Sequence, residues 1–139
     1  MNKNDVCIFT RDSLGNEEKI NNDKMELVCF ASLYLPTLKQ VFFLEKGSVL
    51  EENREVLNNL LSHLQQNHTK WVLVPHINRL YRPEYENGME KLNEIVSQIL
   101  STGAGLISYN EKKILTHDGK VCNLEDYDFS CYMKPDYEI

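Results

Sequence analysis

The chain has 139 residues, which suits one folded domain with a sizeable core and leaves little room for a second module. Its 42% apolar content and its mixture of charge signs are typical of a globular protein rather than a disordered chain. The net charge of −6 argues against a protein that binds DNA through its whole surface, but it permits a local basic cleft. With no secretory leader and no apolar run that could cross a membrane, we expect a cytoplasmic protein without membrane contacts.

Apolar runs and helical spacing predict the first elements. Residues 6–9 (VCIF) form a short apolar run, which indicates a buried strand. A polar loop is expected from there to Asn22, followed by a helix with Asp23 as a plausible N-cap. Pro36 ends that helix because its ring and missing N–H disfavour a helix interior. The run 41–44 (VFFL) predicts the second strand.

The same alternation continues through the middle of the chain. Residues 52–66 predict a helix because five apolar side chains fall on one face, namely Val56, Leu57, Leu60, Leu61 and Leu64. Residues 71–75 (WVLVP) predict the third strand, and Pro83 fits the first turn of a helix that stops at Gly103. Residues 106–108 then form the fourth strand. This order predicts an α/β fold with a largely parallel sheet.

The remaining segment has a different pattern. Residues 114–121 predict a hairpin around the Asp118-Gly119 turn. Beyond it lies an acidic, tyrosine-bearing tail without helical periodicity, whose acids are Glu125, Asp126, Asp128, Asp136 and Glu138. We therefore divide the chain into a main domain over residues 1–112 and a hairpin with an acidic segment over residues 113–139, with no DNA-binding domain.

The four cysteines show no spacing typical of a metal site. Cys7 and Cys29 lie within apolar patterns and are predicted to be buried thiols. Cys122 and Cys131, with His117 nearby, do not match a recognised ligand pattern. We expect no metal and no cofactor.

Charged and nucleophilic residues follow three of the predicted strands. In a parallel sheet such loops share one edge, where α/β proteins bind their ligands. Four arginines around one serine would repel one another unless an anion offsets them, and a phosphodiester suits such a site. The candidates are Arg11 and Ser13 in the first loop, Glu45 with Arg54 at the second, and Arg79 and Arg82 in the third.

Each of these residues also has an ordinary explanation. Two arginines three positions apart commonly solvate a helix start or pair with glutamates, and a lone loop serine is usually structural. A serine hydroxyl also needs activation, and His76, after the third strand, reads more readily as a strand-end residue than as a base.

Taken together, the loops resemble the catalytic domain of the serine recombinases, the resolvases and invertases. Residues 9–13 (FTRDS) are similar to that family's first strand ending in Tyr-x-Arg-x-Ser. Residues 45–48 (EKGS) with 53–54 (NR) resemble its Asp-x-x-Ser-Gly and later Asp-Arg. Residues 78–82 (NRLYR) resemble the family's Asp-Arg-Leu-x-Arg. Residues 106–108 (LIS) resemble the family's strand that follows the next helix. The match covers residues 5 to 112 in order.

The resemblance implies a three-layer α/β domain that cleaves and rejoins DNA. Ser13 would attack a DNA phosphate to form a phosphoserine bond, without metal or nucleotide. The arginine cleft would contact the DNA phosphate backbone, with Arg11, Arg79 and Arg82 holding the phosphate. Arg54 would support the site, and Glu45 would orient an arginine or take part in proton transfer.

The chain also departs from the family pattern. Asp12 stands where a small apolar residue is usual, and Asn78 replaces an acid. The family's long dimer helix and DNA-binding domain are replaced by the hairpin and the acidic segment. An alternative is therefore a non-catalytic, recombinase-like binding or regulatory module that acts through a protein partner. As partners of the chain we expect a second copy in a homo-oligomer or another protein. An unrelated α/β phosphate-binding enzyme is a third possibility.

Overall fold

Strands and helices alternate along the residues that this computed structural model describes, 4–50 and 53–133. A hairpin and an irregular segment with two short 3-10 turns follow. The elements are β1 Asn4–Asp12, α1 Glu17–Tyr34, β2 Lys39–Lys46, α2 Glu55–Gln66, β3 His68–Val74, a 3-10 turn Ile77–Arg79, α3 Gly88–Ser101, β4 Gly105–Ser108, β5 Lys113–Leu115 and β6 Val121–Asn123.

One six-stranded sheet has the order β2-β1-β3-β4-β5-β6. The first four strands in this order are mutually parallel, and β5 and β6 continue the sheet in antiparallel pairs. The predicted α/β fold with a mainly parallel sheet is confirmed. The carboxyl ends of β2, β1, β3 and β4 therefore lie at one edge, which we call the carboxyl edge.

Apolar side chains from both faces of the sheet form the core. On one face, Cys7, Phe9 and Val72 pack with the buried stripes of α2 and α3. On the other face, Ile8 and Trp71 pack with α1 and with the segment after β6. Successive strand residues point to opposite faces, so continuous apolar runs serve both layers. The three-layer arrangement is confirmed.

The first helix begins earlier than the sequence predicts. α1 starts at Glu17, and the side chain of Asn16 caps it by accepting a hydrogen bond from the Lys19 backbone N–H at 3.2 Å. Asp23 is therefore not an N-cap but lies inside the helix, which corrects the prediction. The first turns are mostly exposed and polar, so they lack the apolar stripe that marks a helix in sequence.

The later helices show two further differences. The start predicted at Glu52 lies outside the described residues, and α2 begins at Glu55. Pro83 is not in a helix, because α3 begins only at Gly88, after Asn87 in the left-handed conformation. A Cβ atom on Gly88 would lie 2.2 Å from the Arg82 carbonyl oxygen, so glycine permits the close approach of helix and loop.

The predicted hairpin is present, and the segment after it is packed against the sheet. Gly119, with φ +88°, closes the turn by donating its N–H to the Thr116 carbonyl at 2.8 Å. Leu124 and Phe129 are buried against α1 and Trp71. Asp136 and Glu138 of the predicted tail lie outside the described residues. The boundary proposed at residue 112 stays a prediction.

Cys7 is buried as predicted, whereas Cys29 is exposed, because it lies on the solvent side of α1. No helix among the described residues is long and apolar enough to cross a membrane.

Candidate active site

Ser13 lies on the exposed turn between β1 and α1. The Asp12 carboxylate shapes this turn by accepting hydrogen bonds from the backbone N–H groups of Leu14 at 3.2 Å and Asn16 at 2.9 Å. Chiefly the Asn16 bond, with help from Lys19 at 3.4 Å, holds the pKa of Asp12 below its ordinary value. The Ser13 hydroxyl itself makes no hydrogen bond to the described residues, so it is free to contact a ligand.

Arg11 is the largest fully buried side chain of the described chain, with 2% of its surface exposed. Its Nε donates to the Arg79 carbonyl oxygen and its Nη1 to the Gly47 carbonyl oxygen, both at 3.1 Å. No carboxylate among residues 4–50 and 53–133 lies within ion-pair distance of this guanidinium. Arg11 therefore carries a buried positive charge whose direct hydrogen-bond partners are backbone carbonyl oxygens.

Arg54 and Glu45 form a buried pair. Arg54 donates to both carboxylate oxygens, from Nε at 3.1 Å and from Nη2 at 2.5 Å. Its Nη1 donates to the Leu80 carbonyl at 2.5 Å, and its Nη2 lies 3.5 Å from the Arg79 carbonyl. Because these contacts use the donors of Arg54, the pair braces the backbone that carries Arg79 and Leu80.

Arg79 and Arg82 extend the cluster along the third loop. Arg79 Nη2 lies 3.8 Å from an oxygen of Asp23, and its Nη1 lies 3.4 Å from Asn78 Oδ1. Arg82 is about one-third exposed and lies 3.4 Å from Glu84. Both guanidinium groups have weak, long contacts, which leaves them available to another anion.

The charges of this cluster act on one another. Burial lowers the pKa of Arg11, and the positive charge of Arg54 lowers it further. The carboxylate of Glu45 opposes that effect, while Arg79 and Arg82 add to it. Arginine nevertheless stays protonated in proteins, so the site keeps an excess of positive charge that favours an anionic ligand.

The structure thus brings four of the predicted residues into one connected group: Arg11, Glu45, Arg54 and Arg79. Ser13 and Arg82 belong to loops at the same carboxyl edge, and Arg82 is close enough to disfavour the charge on Arg11. A cavity of about 350 Å³ opens beside Glu45, Ser48 and Arg54. The roles of these six residues stay predictions.

Two acids near this edge are site residues that the sequence pattern does not predict. Asp23 contacts Arg79 from α1, and Glu111 accepts hydrogen bonds from Ser108 at 2.5 Å and from the Ile77 backbone at 3.2 Å. No local pattern marks either residue, because both contacts depend on how distant elements pack. His76 caps the 3-10 turn through Nδ1 and pairs with Glu111, which fits a structural role.

One group of potential metal ligands lies at the opposite edge of the sheet. It consists of Asp5, Cys7 and His63. Asp5 accepts hydrogen bonds from Thr69 at 2.5 Å and His63 at 3.0 Å, and burial raises the pKa of the Cys7 thiol to about 12. Hydrogen bonding already satisfies both oxygens of Asp5, so the group is explained as a polar network that joins α2 to β1.

Comparisons with solved structures give the fold a name. The N-terminal catalytic domain of TP901-1 integrase superposes with a TM-score of 0.65 at 22% identity, over 81% of each chain. The C-terminal catalytic domain of ISC1926 TnpA, an IS607-like serine recombinase, gives a TM-score of 0.60 at 18% identity, over 73% of this chain and 66% of that one. The first open reading frame of transposon ISC1904 from Sulfolobus solfataricus P2 gives 0.54 at 16% identity, over 73% and 64%.

No family model matches the chain, and no curated protein is significantly similar to it in sequence. The chain forms an α/β domain with a candidate anion site at its carboxyl edge. More specifically, the chain has the fold of a serine recombinase catalytic domain, as the loop motifs predict.

Proposed function

We propose that the protein cleaves and rejoins DNA through Ser13. The observation that carries this proposal is Arg11, a buried guanidinium without a carboxylate partner among the described residues, two positions before an exposed serine. An unpaired buried charge is costly, and a bound phosphodiester would compensate it. Arg79 and Arg82 follow β3 at the same edge and have only long contacts with carboxylates, so they are available to bind the same phosphate.

In the proposed reaction, Ser13 Oγ attacks the phosphorus of a DNA phosphodiester. A bond forms between Oγ and phosphorus, the bond between phosphorus and one deoxyribose oxygen breaks, and the serine proton leaves while the released hydroxyl gains one. Negative charge on the nonbridging oxygens would be stabilised by the arginines. Attack of a DNA hydroxyl on the phosphoserine reverses the step, so rejoining needs no metal, nucleotide or other cofactor.

The remaining residues take different parts. Arg11, Arg79 and Arg82 would contact the phosphate oxygens. Arg54 and Glu45 are better suited to position the loop that carries Arg79, because they hydrogen-bond to each other and Arg54 also donates to the loop backbone. We propose DNA as substrate, with a second copy of the chain or another protein as the partner that aligns the strands.

Trapping of the covalent intermediate tests the proposal. The protein is incubated with nicked duplex DNA designed so that the cleaved fragment diffuses away, and denaturing electrophoresis with mass spectrometry detects a DNA-linked peptide. We expect the adduct on Ser13, and its complete loss in Ser13→Ala. Loss of one arginine donor should lower the rate of adduct formation about 10²- to 10³-fold, as for other preorganised donors.

Ser101→Ala is the matched control, because Ser101 is an exposed serine at the end of α3, away from the loops of the candidate site. Its hydroxyl donates a hydrogen bond to the Gln98 carbonyl at 2.9 Å, which marks it as a helix-end residue. This variant should retain the adduct. Unchanged trapping in Ser13→Ala, or no adduct on any such substrate, would refute the proposal.

A second candidate is a recombinase-like binding or regulatory module. It is favoured by the arginines' own partners, since Arg54 binds Glu45 and both Arg79 and Arg82 lie near carboxylates. The net charge of −6 points the same way. Tight binding of the protein to duplex DNA that weakens steeply with salt would count against this candidate.

A further inference from the structure

Asp23 occupies a position of α1 where an apolar residue is expected. The buried stripe of this helix includes Ile20, Leu27, Phe30 and Ala31, at the spacing of one helix face. Asp23 falls on that stripe between Ile20 and Leu27, and its side chain is 16% exposed. A carboxylate so placed needs a positive partner.

Arg79 is that partner, but the pair is poorly bonded. The 3.8 Å between Arg79 Nη2 and Asp23 Oδ2 is an ion-pair distance and too long for a hydrogen bond. Arg79 Nε and Asp23 Oδ2 are both buried, and neither has a hydrogen-bond partner among the residues that the structure describes. Because Arg79 Nε and Asp23 Oδ2 both lack a hydrogen bond, this ion pair is weak. A ligand that accepts hydrogen bonds from both Nε and Nη2 of Arg79 should displace Asp23 easily.

We infer that Asp23 holds Arg79 in the absence of DNA and competes with the phosphate for it, so that Asp23 sets how strongly the site binds oxyanions. This inference rests on the proposed phosphate site and adds a control on it. A phosphate can accept two parallel hydrogen bonds from the fork of Arg79, including one from Nε. Asp23 links that exchange to α1, the helix that follows the turn of Ser13.

The test is a titration with inorganic phosphate followed by NMR of the Arg79 Nε–H signal, assigned by its loss in Arg79→Lys. Asp23→Asn keeps the shape of the side chain and removes its charge. Removing one negative charge about 4 Å from the guanidinium should lower the phosphate concentration at half-saturation about five- to tenfold. Glu26→Gln makes the same charge change on an exposed residue of the same helix. It should change the phosphate concentration at half-saturation less than twofold.

A double-mutant cycle separates this contact from a general charge effect. In the Arg79→Gln background, amide signals of residues 13–16 report phosphate binding, and Asp23→Asn should then change the affinity less than twofold. If Asp23→Asn lowers the yield of folded protein, Asp23→Ser removes the same charge and should give the same shift.

The outcomes also separate this inference from the proposed function. Equal or weaker phosphate binding in Asp23→Asn, or no phosphate-dependent shift of Arg79 in either protein, overturns the inference. If the titration behaves as expected but no Ser13 adduct forms, the control of Arg79 stands and the strand-cleavage proposal fails. If the adduct forms but Asp23→Asn leaves phosphate binding unchanged, only the inference fails.

Discussion

Backbone carbonyl oxygens hold the two most buried arginines of this protein. Arg11 donates to the carbonyls of Gly47 and Arg79, and Arg54 donates to that of Leu80. Carbonyl dipoles orient the Arg11 guanidinium without neutralising it, so its charge remains available to an anion, whereas the charge of Arg54 is paired with Glu45. The arginine framework is therefore preorganised before any ligand binds, which is what electrostatic stabilisation of a transition state requires.

Glu45→Gln tests whether the buried pair supports this framework. Glu45 and Arg54 side chains are 5% and 8% exposed, so the substitution leaves the Arg54 charge buried without its carboxylate. We expect a loss of about 3 kcal/mol or more in the free energy of unfolding, measured by urea denaturation. Glu94→Gln, on the exposed side of α3, should change the free energy of unfolding by no more than about 0.5 kcal/mol. Equal unfolding midpoints for the two variants would show that the Glu45–Arg54 pair does not support the framework.

Asp12 should make stability depend on acidic pH. Hydrogen bonds from Asn16, Leu14 and Lys19 favour its ionised form, so its pKa in the folded protein lies below the ordinary value of 3.8. An acid with a lowered folded pKa stabilises the protein fully above its unfolded pKa, and this contribution is lost as the pH falls through the lower folded value.

Urea denaturation between pH 7 and pH 3 measures this contribution. We expect Asp12→Asn to be less stable than the natural protein at pH 7 and the difference to shrink as the pH falls below about 4. Asp118→Asn should show a smaller difference in the same direction, because Asp118 also has a lowered pKa but lies in the exposed hairpin turn. A difference for Asp12→Asn that is constant across this range would exclude the assignment.

At the scale of elements, the central strands β1, β3 and β4 were predictable because their apolar runs are buried on both faces. Runs such as residues 6–9 and 71–74 are at most 3% exposed, and a parallel strand covered by helices reads as a continuous apolar run. The start of α1 was not predictable by the same reasoning. Its first two turns bury mainly Ile20, so they read as a polar loop.

The candidate site was predictable in its residue types but not in its contacts. Arg11, Arg54 and Arg79 follow or flank predicted strands, which places them at one edge by topology alone. Their partners depend on packing between distant elements. The Asp23–Arg79 contact joins residues 56 positions apart along the chain, and no sequence period connects them.

Gly88→Ala tests how α3 fixes the arginine loop. The added Cβ would lie 2.2 Å from the Arg82 carbonyl oxygen and 2.8 Å from that of Pro83, so helix and loop must separate. We expect a loss of about 1–3 kcal/mol in the free energy of unfolding, together with shifts of the Arg82 backbone amide signal. Met89→Ala changes the next, half-exposed position and should leave that signal in place.

At the scale of the whole molecule, the acidic segment after β6 packs its aromatic side chains against the sheet and exposes its acidic side chains to solvent. Phe129 is 5% exposed and contacts the rings of Phe30, Trp71 and Tyr127. The acids Glu125, Asp126 and Asp128 point outward and are exposed. The segment thus covers one face of the sheet with its aromatic side chains while presenting a negative surface, so its acidity need not indicate an independent tail.

Phe129→Ala therefore tests whether this segment is part of the cooperative fold. Truncating a buried aromatic ring costs about 3–5 kcal/mol, and here the cavity would open against Trp71, the protein's single tryptophan. Urea denaturation followed by tryptophan fluorescence and by far-ultraviolet circular dichroism should show one coincident transition at a lower midpoint. Met133→Ala, near the end of the same segment and 37% exposed, should lower the midpoint much less. If Phe129→Ala changes the fluorescence but not the midpoint of the circular dichroism transition, the segment is a separable cover and the core of the domain is stable without it.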